Sequence, residues 1–208
     1  MSTVAILGSG LVGQTLAAGL RDLGHTVTIG SRTGKEIDGW DGATATFADA
    51  LSGADLAVLS VKGTVAEELV ASLASQLDGV VVLDTTNPIA DAAPTDGVLA
   101  YFTGPNESLL ERLQAAAPGA RFVKAFNSVG SGLMVKPALP GGTPTMFIAG
   151  NDEGARSTAA EVIVSLGWEV EDLGSAVAAR AIEPLCMLWC IPGLRDNDWA
   201  HAFKLLRP

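Results

Sequence analysis

Cysteine is scarce in this 208-residue chain. Two thiols, Cys186 and Cys190, are too few for a disulfide framework, so a reducing, cytoplasmic setting is expected. Basic residues are also short: 13 Lys and Arg stand against 23 Asp and Glu, for a net charge of −10. No basic cluster is present to meet a phosphate backbone, so no nucleic-acid partner is expected. Charged residues make up only 17% of the chain against 48% hydrophobic, which excludes intrinsic disorder. No apolar run approaches the ~18 residues of a membrane-spanning helix. The opening MSTVAILGSG has no basic stretch ahead of an apolar one, so neither a membrane partner nor a secretory signal is expected.

What is present is an alternation of short apolar runs with helical patterns. Val4 to Leu7 is the first run; Val12, Leu16, Leu20 and Leu23 then follow at helical spacing and stop at Gly24. Thr26 to Ile29, Thr44 to Phe47, Leu56 to Val61 and Val80 to Leu83 read as the next strands, with a helix carrying Val65, Leu69, Leu73 and Leu77 between the last two. Leu109 to Ala116 reads as a helix and Arg121 to Phe126 as the sixth strand. Thr145 to Ala149, a helix with Ala159, Ile163 and Leu166, and a strand from Glu169 to Leu173 complete the series. Beyond Gly174 the chain looks mainly helical, interrupted at Pro184 and at Ile191-Pro192-Gly193. Continuous rather than alternating apolar strands belong to a parallel sheet covered on both faces, and strand–helix alternation points to βαβ units. The expected fold is α/β: a Rossmann-type, doubly wound, mainly parallel sheet over residues 1–174, with a short C-terminal helical extension at 175–208 packed on the same domain.

Gly8-Ser9-Gly10-Leu11-Val12-Gly13 is a complete GxGxxG that follows the first strand and opens the first helix, the setting in which it binds a dinucleotide. The first glycine permits the turn, the second lets the pyrophosphate approach the backbone, and the third lets helix and strand pack closely. An NAD-specific site places a carboxylate after the second strand to hold the ribose 2′-OH. Here Ile29-Gly30 leads into Ser31-Arg32-Thr33-Gly34-Lys35, a hydroxyl and two cations that suit a 2′-phosphate, so NADP is the expected cofactor.

A proton donor for the chemistry is hard to find. The single tyrosine, Tyr101, is followed at the fourth position by Pro105, which excludes the Tyr-x-x-x-Lys arrangement of short-chain dehydrogenases. His25 lies in a turn on the far side of the sheet from the cofactor, and His201 suits capping or packing. Cys186 and Cys190 read as small buried hydrophobes rather than metal ligands, so no metal is expected. Asp84 reads as a base or, more simply, as an acceptor for N–H groups of its own turn. Trp189 and Trp199 read as packing anchors. Hydride transfer between two redox rings needs alignment and little acid–base help, so the lack of an acid–base pair is itself informative.

The chain resembles the F420-dependent NADP oxidoreductase family. Four segments carry the resemblance: Gly8 to Gly13, Ile29-Gly30-Ser31-Arg32-Thr33, Val123-Lys124-Ala125-Phe126-Asn127-Ser128-Val129-Gly130, and the tail from Asp172-Leu173-Gly174 to Phe203-Lys204-Leu205-Leu206. The resemblance implies a homodimer in which Ser9 to Val12 touch the pyrophosphate and Ser31, Arg32 and Lys35 hold the 2′-phosphate. It places Val61 and Asn87-Pro88 along the ribose and nicotinamide, Asn127 and Val129 where deazaflavin meets nicotinamide, and the tail around His201 over the deazaflavin pocket. The chain departs from methanogen-type members at Val61-Lys62-Gly63 and at Asn127 to Gly130, both on the second-substrate side; Lys62 there faces either solvent or an acidic cofactor tail. The resemblance thus implies hydride exchange between NADPH and F420. Reduction of a small imine, enone, ketone or free flavin, and a non-catalytic NADPH sensor, are the alternatives.

Overall fold

A computed structural model describes residues 1–208 as three layers, a parallel sheet between two sets of helices. β1 (Thr3–Leu7), β2 (Thr26–Ser31), β3 (Ala43–Thr46), β4 (Leu56–Leu59), β5 (Val81–Asp84) and β6 (Arg121–Lys124) form a six-stranded sheet in the order β3-β2-β1-β4-β5-β6. Every neighbouring pair is parallel. The order reverses between β1 and β4, and a doubly wound sheet offers its ligand crevice at that switch point, outside the strands' carboxyl ends. β7 (Thr145–Ile148) and β8 (Glu169–Asp172) make a second parallel pair, joined to the main sheet by one antiparallel bridge between Lys124 and Ala149.

The unbroken apolar strands follow from burial on both faces. Val4 and Ile6 of β1 enter one core with Leu16 and Leu20 of α1 (Leu11–Asp22) and Ala159 and Ile163 of α5 (Glu153–Ser165). Ala5 and Leu7 enter the opposite core. There they meet Ala66 and Val70 of α3 (Gly63–Ser72) and Leu109 and Leu113 of α4 (Leu109–Ala116). Helix starts carry their own signals: the Ser108 hydroxyl accepts from Glu111 N–H at 3.2 Å, and Asp152 accepts from Ala155 N–H at 2.6 Å. The short α2 (Phe47–Leu51) was not apparent from periodicity, being too brief for one; its mark is Thr46, whose hydroxyl caps Asp49 N–H at 3.2 Å.

The C-terminal region departs from expectation in three ways. α6 (Ala179–Asp196) runs through both Pro184 and Pro192 instead of breaking. Each proline costs an interior helix ~3 kcal/mol, offset here by burial of Ile182, Cys186 and Trp189. After the left-handed cap at Asn197 the chain is not helical but returns along β7, where Phe203 O accepts from Thr145 N–H at 2.9 Å and Leu205 N–H donates to Thr145 Oγ1 at 3.1 Å. The expectation that no apolar stretch has spanning length is also corrected. Ala176–Asp196 covers 21 residues, its most apolar stretch has a mean hydropathy of 1.4, and 33% of that stretch is buried inside the molecule.

Candidate functional site

The chain leaves β1 into a turn whose glycines meet different surroundings. Gly8 has φ +137°, and a Cβ there would lie 2.5 Å from the Ser60 carbonyl oxygen. At Gly13 a Cβ would collide with the Gly8 carbonyl, so α1 seats directly on the turn. Nothing lies within 4 Å of a Cβ at Gly10, the N-cap of α1 with extended backbone (φ −75°, ψ 177°). The first turn of α1 presents uncapped N–H groups there, since no side chain caps it, and such a terminus is suited to an anion. Leu11 projects from the same turn at 71% exposure, while Val12 packs partly into the core.

A cleft of about 1120 Å³ opens over this turn. It gathers Gly8, Ser9 and Gly10 with Ser31, Arg32, Thr33 and Lys35 after β2 and with Val61 and Lys62 after β4. Nine of the residues singled out from the sequence therefore face one space, beside Glu36, Asp38 and Glu68. The Ser31 hydroxyl accepts from Gly34 N–H at 3.0 Å, shaping the loop that carries Arg32. Arg32, Lys35 and Lys62 take part in none of the protein's ion pairs. Three cations are therefore uncommitted on a chain of net charge −10.

Asn87, Pro88, Asn127 and Val129 form a separate group beyond the switch point, past the ends of β5 and β6. Asn87 Nδ2 donates to the Asn127 carbonyl at 2.8 Å. Asn127 Nδ2 donates to Asn87 Oδ1 at 3.3 Å and to the Ile182 carbonyl of α6 at 2.9 Å. Both neighbours of that nitrogen are acceptors, which fixes the amide's orientation. Asn127 Oδ1 has no donor although the residue is only 3% exposed. Just ahead, Phe126 adopts φ +55°, a left-handed conformation costly for a bulky side chain. Val129 belongs to the core, and a Cβ on Gly130 would lie 2.9 Å from the Trp189 ring.

His201 is not at the cleft. Its Nε2 lies 3.0 Å from the Trp189 carbonyl, which can only accept, so Nε2 carries the proton. Trp189 Nε1 donates back to the His201 carbonyl at 2.9 Å, and the rings stack at 5.1 Å. Trp199 lies 5.4 Å from Trp189 on the rim of a hollow of about 370 Å³ that Gly130 and Leu133 also line. The Cys186 and Cys190 sulfurs are 3.9 Å apart; the bond with Cys190, and burial, push the Cys186 thiol up.

Two charged residues escaped sequence reasoning. Lys124 and Glu183 are fully buried with Asp84: Lys124 Nζ lies 2.6 Å from Asp84 Oδ2 and 2.9 Å from Glu183 Oε1. Asp84 Oδ1 accepts from Thr86 N–H at 2.9 Å and from its hydroxyl at 2.6 Å, so this aspartate serves its own turn as well. Burial alone would lower the Lys124 pKa, but the two carboxylates outweigh it and raise it. The available signal was a lysine within the otherwise apolar run Phe122 to Phe126.

Known proteins resemble this chain in sequence and fold. The family model for NADP oxidoreductase, coenzyme F420-dependent, matches residues 3–88. A candidate F420-dependent NADP-reductase from Arthrobacter sp. FB24 aligns over 100% of both chains at 32% identity and a TM-score of 0.90. Metalloreductase STEAP3 of Rattus norvegicus is 31% identical over 198 residues, a match that takes in 92% of this chain but 38% of that protein. The chain thus spans well under half the length of that curated relative. An imine reductase from Bacillus cereus shares the fold alone, at 18% identity and a TM-score of 0.63 over 86% of this chain and 57% of its own. On the full-length match, and with an open glycine turn facing uncommitted cations, the chain belongs to the F420-dependent NADP oxidoreductase family, whose members are NADP-dependent oxidoreductases.

Proposed function

We propose that the chain exchanges hydride between NADPH and the deazaflavin coenzyme F420 by holding the two rings in contact beside Asn127 and Val129. The observation that carries the reading is the unobstructed Gly10 facing Arg32 and Lys35 across one cleft. Backbone N–H groups at the start of α1 would receive the pyrophosphate. Ser31, Arg32 and Lys35 would bind the 2′-phosphate by charge-assisted bonds that NADH cannot form. The dinucleotide would cross the switch point toward Asn87 and Asn127, where the donorless Asn127 Oδ1 suits the carboxamide N–H of nicotinamide.

NADPH supplies the hydride when bound; the protein's residues orient and exclude water. Asp84 and Glu183, the carboxylates beneath that end, are each ion-paired with Lys124, and all three are sealed from solvent. None is held out to protonate an acceptor, which favours ring-to-ring transfer governed by geometry. Family membership supports F420 as the partner ring. A second reading, reduction of a small imine, enone or ketone, is favoured by the hollow of about 370 Å³ between Gly130 and the paired tryptophans.

The test is a spectrophotometric assay with NADPH and NADH, each with and without F420, followed by a panel of small carbonyl, imine and flavin acceptors. NADPH-dependent loss of deazaflavin absorbance is expected. Lack of F420 turnover at saturating NADPH refutes the first reading, and turnover of a panel compound in its place establishes the second.

A further inference from the structure

The buried charges Asp84, Lys124 and Glu183 have no place in the proposed chemistry. Interring three charges costs more than burying an apolar trio of the same volume, so their value lies in what their directed bonds hold. The Lys124 ammonium joins three parts of the fold, by one hydrogen bond and two ion pairs. Its Nζ donates to the Thr86 carbonyl in the turn after β5 (2.8 Å) and pairs with Asp84 Oδ2 at the end of β5 (2.6 Å) and with Glu183 Oε1 on α6 (2.9 Å). Glu183 also accepts from Leu109 and Leu110 N–H, at 2.9 and 3.0 Å, at the start of α4.

This node touches both supports of the Asn87–Asn127 pair. Thr86 precedes Asn87, and Ile182, whose carbonyl accepts from Asn127 Nδ2, precedes Glu183. On the remaining side Gly63 sits so close beneath the Asn87 carbonyl that a Cβ there would collide with it. The left-handed Phe126 shows the same over-determination at the residue before Asn127.

We infer that Lys124 and Glu183 are positioning residues: through Thr86 and Ile182 they place the Asn87–Asn127 pair, and with it the nicotinamide end of a bound dinucleotide. The adenosine end is placed independently by Gly10, Arg32 and Lys35. The inference rests on the dinucleotide reading above.

The experiment compares wild type with Glu183→Gln, which removes the charge and puts an N–H₂ donor in place of one of the two oxygens that now accept from Leu109 and Leu110 N–H. The affinity of 2′,5′-ADP, which carries only the adenosine end, is measured by calorimetry, and NADPH by its affinity and reduced-nicotinamide fluorescence. Expected for Glu183→Gln is an unchanged 2′,5′-ADP affinity, NADPH weakened by up to about tenfold (one hydrogen bond), and a shifted nicotinamide emission. Ile163→Ala, in the core on α5, controls for lost stability and should change neither ligand. Should Glu183→Gln not fold, Asp84→Asn tests the same node with Thr86 still bonded to Oδ1. Equal losses for both ligands, or wild-type NADPH affinity and emission in the variant, overturn the inference. A wild-type protein that binds neither ligand overturns the dinucleotide reading, and this inference with it.

Discussion

Substituting Gly10 and Gly13 separately divides ligand binding from packing within one motif. Gly10→Ala adds a methyl group that meets nothing within 4 Å, on a backbone (φ −75°, ψ 177°) that alanine adopts freely. Gly→Ala at a compatible site stabilises by ~0.4–1 kcal/mol through the unfolded chain. As an N-cap, alanine is poorer than glycine by a comparable ~0.5–1 kcal/mol. The two nearly cancel, so the melting temperature of the free protein should stay within a few degrees of wild type. The methyl group nevertheless stands over the N–H groups that a pyrophosphate must reach. Losing one charge-assisted bond of ~1.5–3 kcal/mol weakens NADPH and NADH alike by about 10- to 150-fold. Gly13→Ala does the opposite: its methyl group collides with the Gly8 carbonyl, so α1 must lift from β1. Overpacking of this kind costs ~1–3 kcal/mol, visible without any ligand. Thermal melts of the free proteins and calorimetric titration with both dinucleotides provide the readout. Wild-type NADPH affinity in Gly10→Ala, or wild-type stability in Gly13→Ala, would refute the reasoning.

Arg32→Ala should weaken NADPH by about tenfold or more, the worth of a charge-assisted bond, and leave NADH nearly unchanged; equal losses in titration would remove Arg32 from the 2′-phosphate site. Lys124→Met leaves Asp84 and Glu183 buried without their cation and should cost ~3–5 kcal/mol, measured by urea unfolding. A loss below ~1 kcal/mol would mean that the carboxylates find other partners. The Glu111 carboxylate is held below its ordinary range, first by its hydrogen bond from Arg180 and also by Ser108, against the opposing effect of burial. Its contribution is present above the ordinary carboxylate range near 4.5 and lost as pH falls through the lowered folded value. Glu111→Gln should therefore melt below wild type at pH 7, by under ~1 kcal/mol for a partly exposed pair. The gap should narrow as the pH falls below the ordinary carboxylate range, and a gap that widens with acid contradicts the assignment.

Much of this molecule is legible in its sequence. The runs Val4–Leu7, Leu56–Leu59 and Val81–Leu83 are apolar at every position because both faces of the sheet are covered, and that pattern is local. The GxGxxG after the first strand and Ser31-Arg32-Thr33-Gly34-Lys35 after the second are local too, and their spacing brought them to one cleft. In the tail, propensity and packing disagree. Pro184 and Pro192 argue for breaks, but the buried side chains of α6 outweigh them, and the last residues extend because β7 has an edge for them to follow.

The sequence by itself determined the layer architecture, the glycine turn and the basic loop after the second strand, because each is written in the spacing of near neighbours. Only the tertiary structure decided that Gly10 is open while Gly13 is crowded, since the motif presents the two alike. Only it could join Asp84, Lys124 and Glu183, which lie on two strands and the last helix. A buried charge is tolerated only where distant parts of the chain deliver its partners, and no local pattern records that meeting.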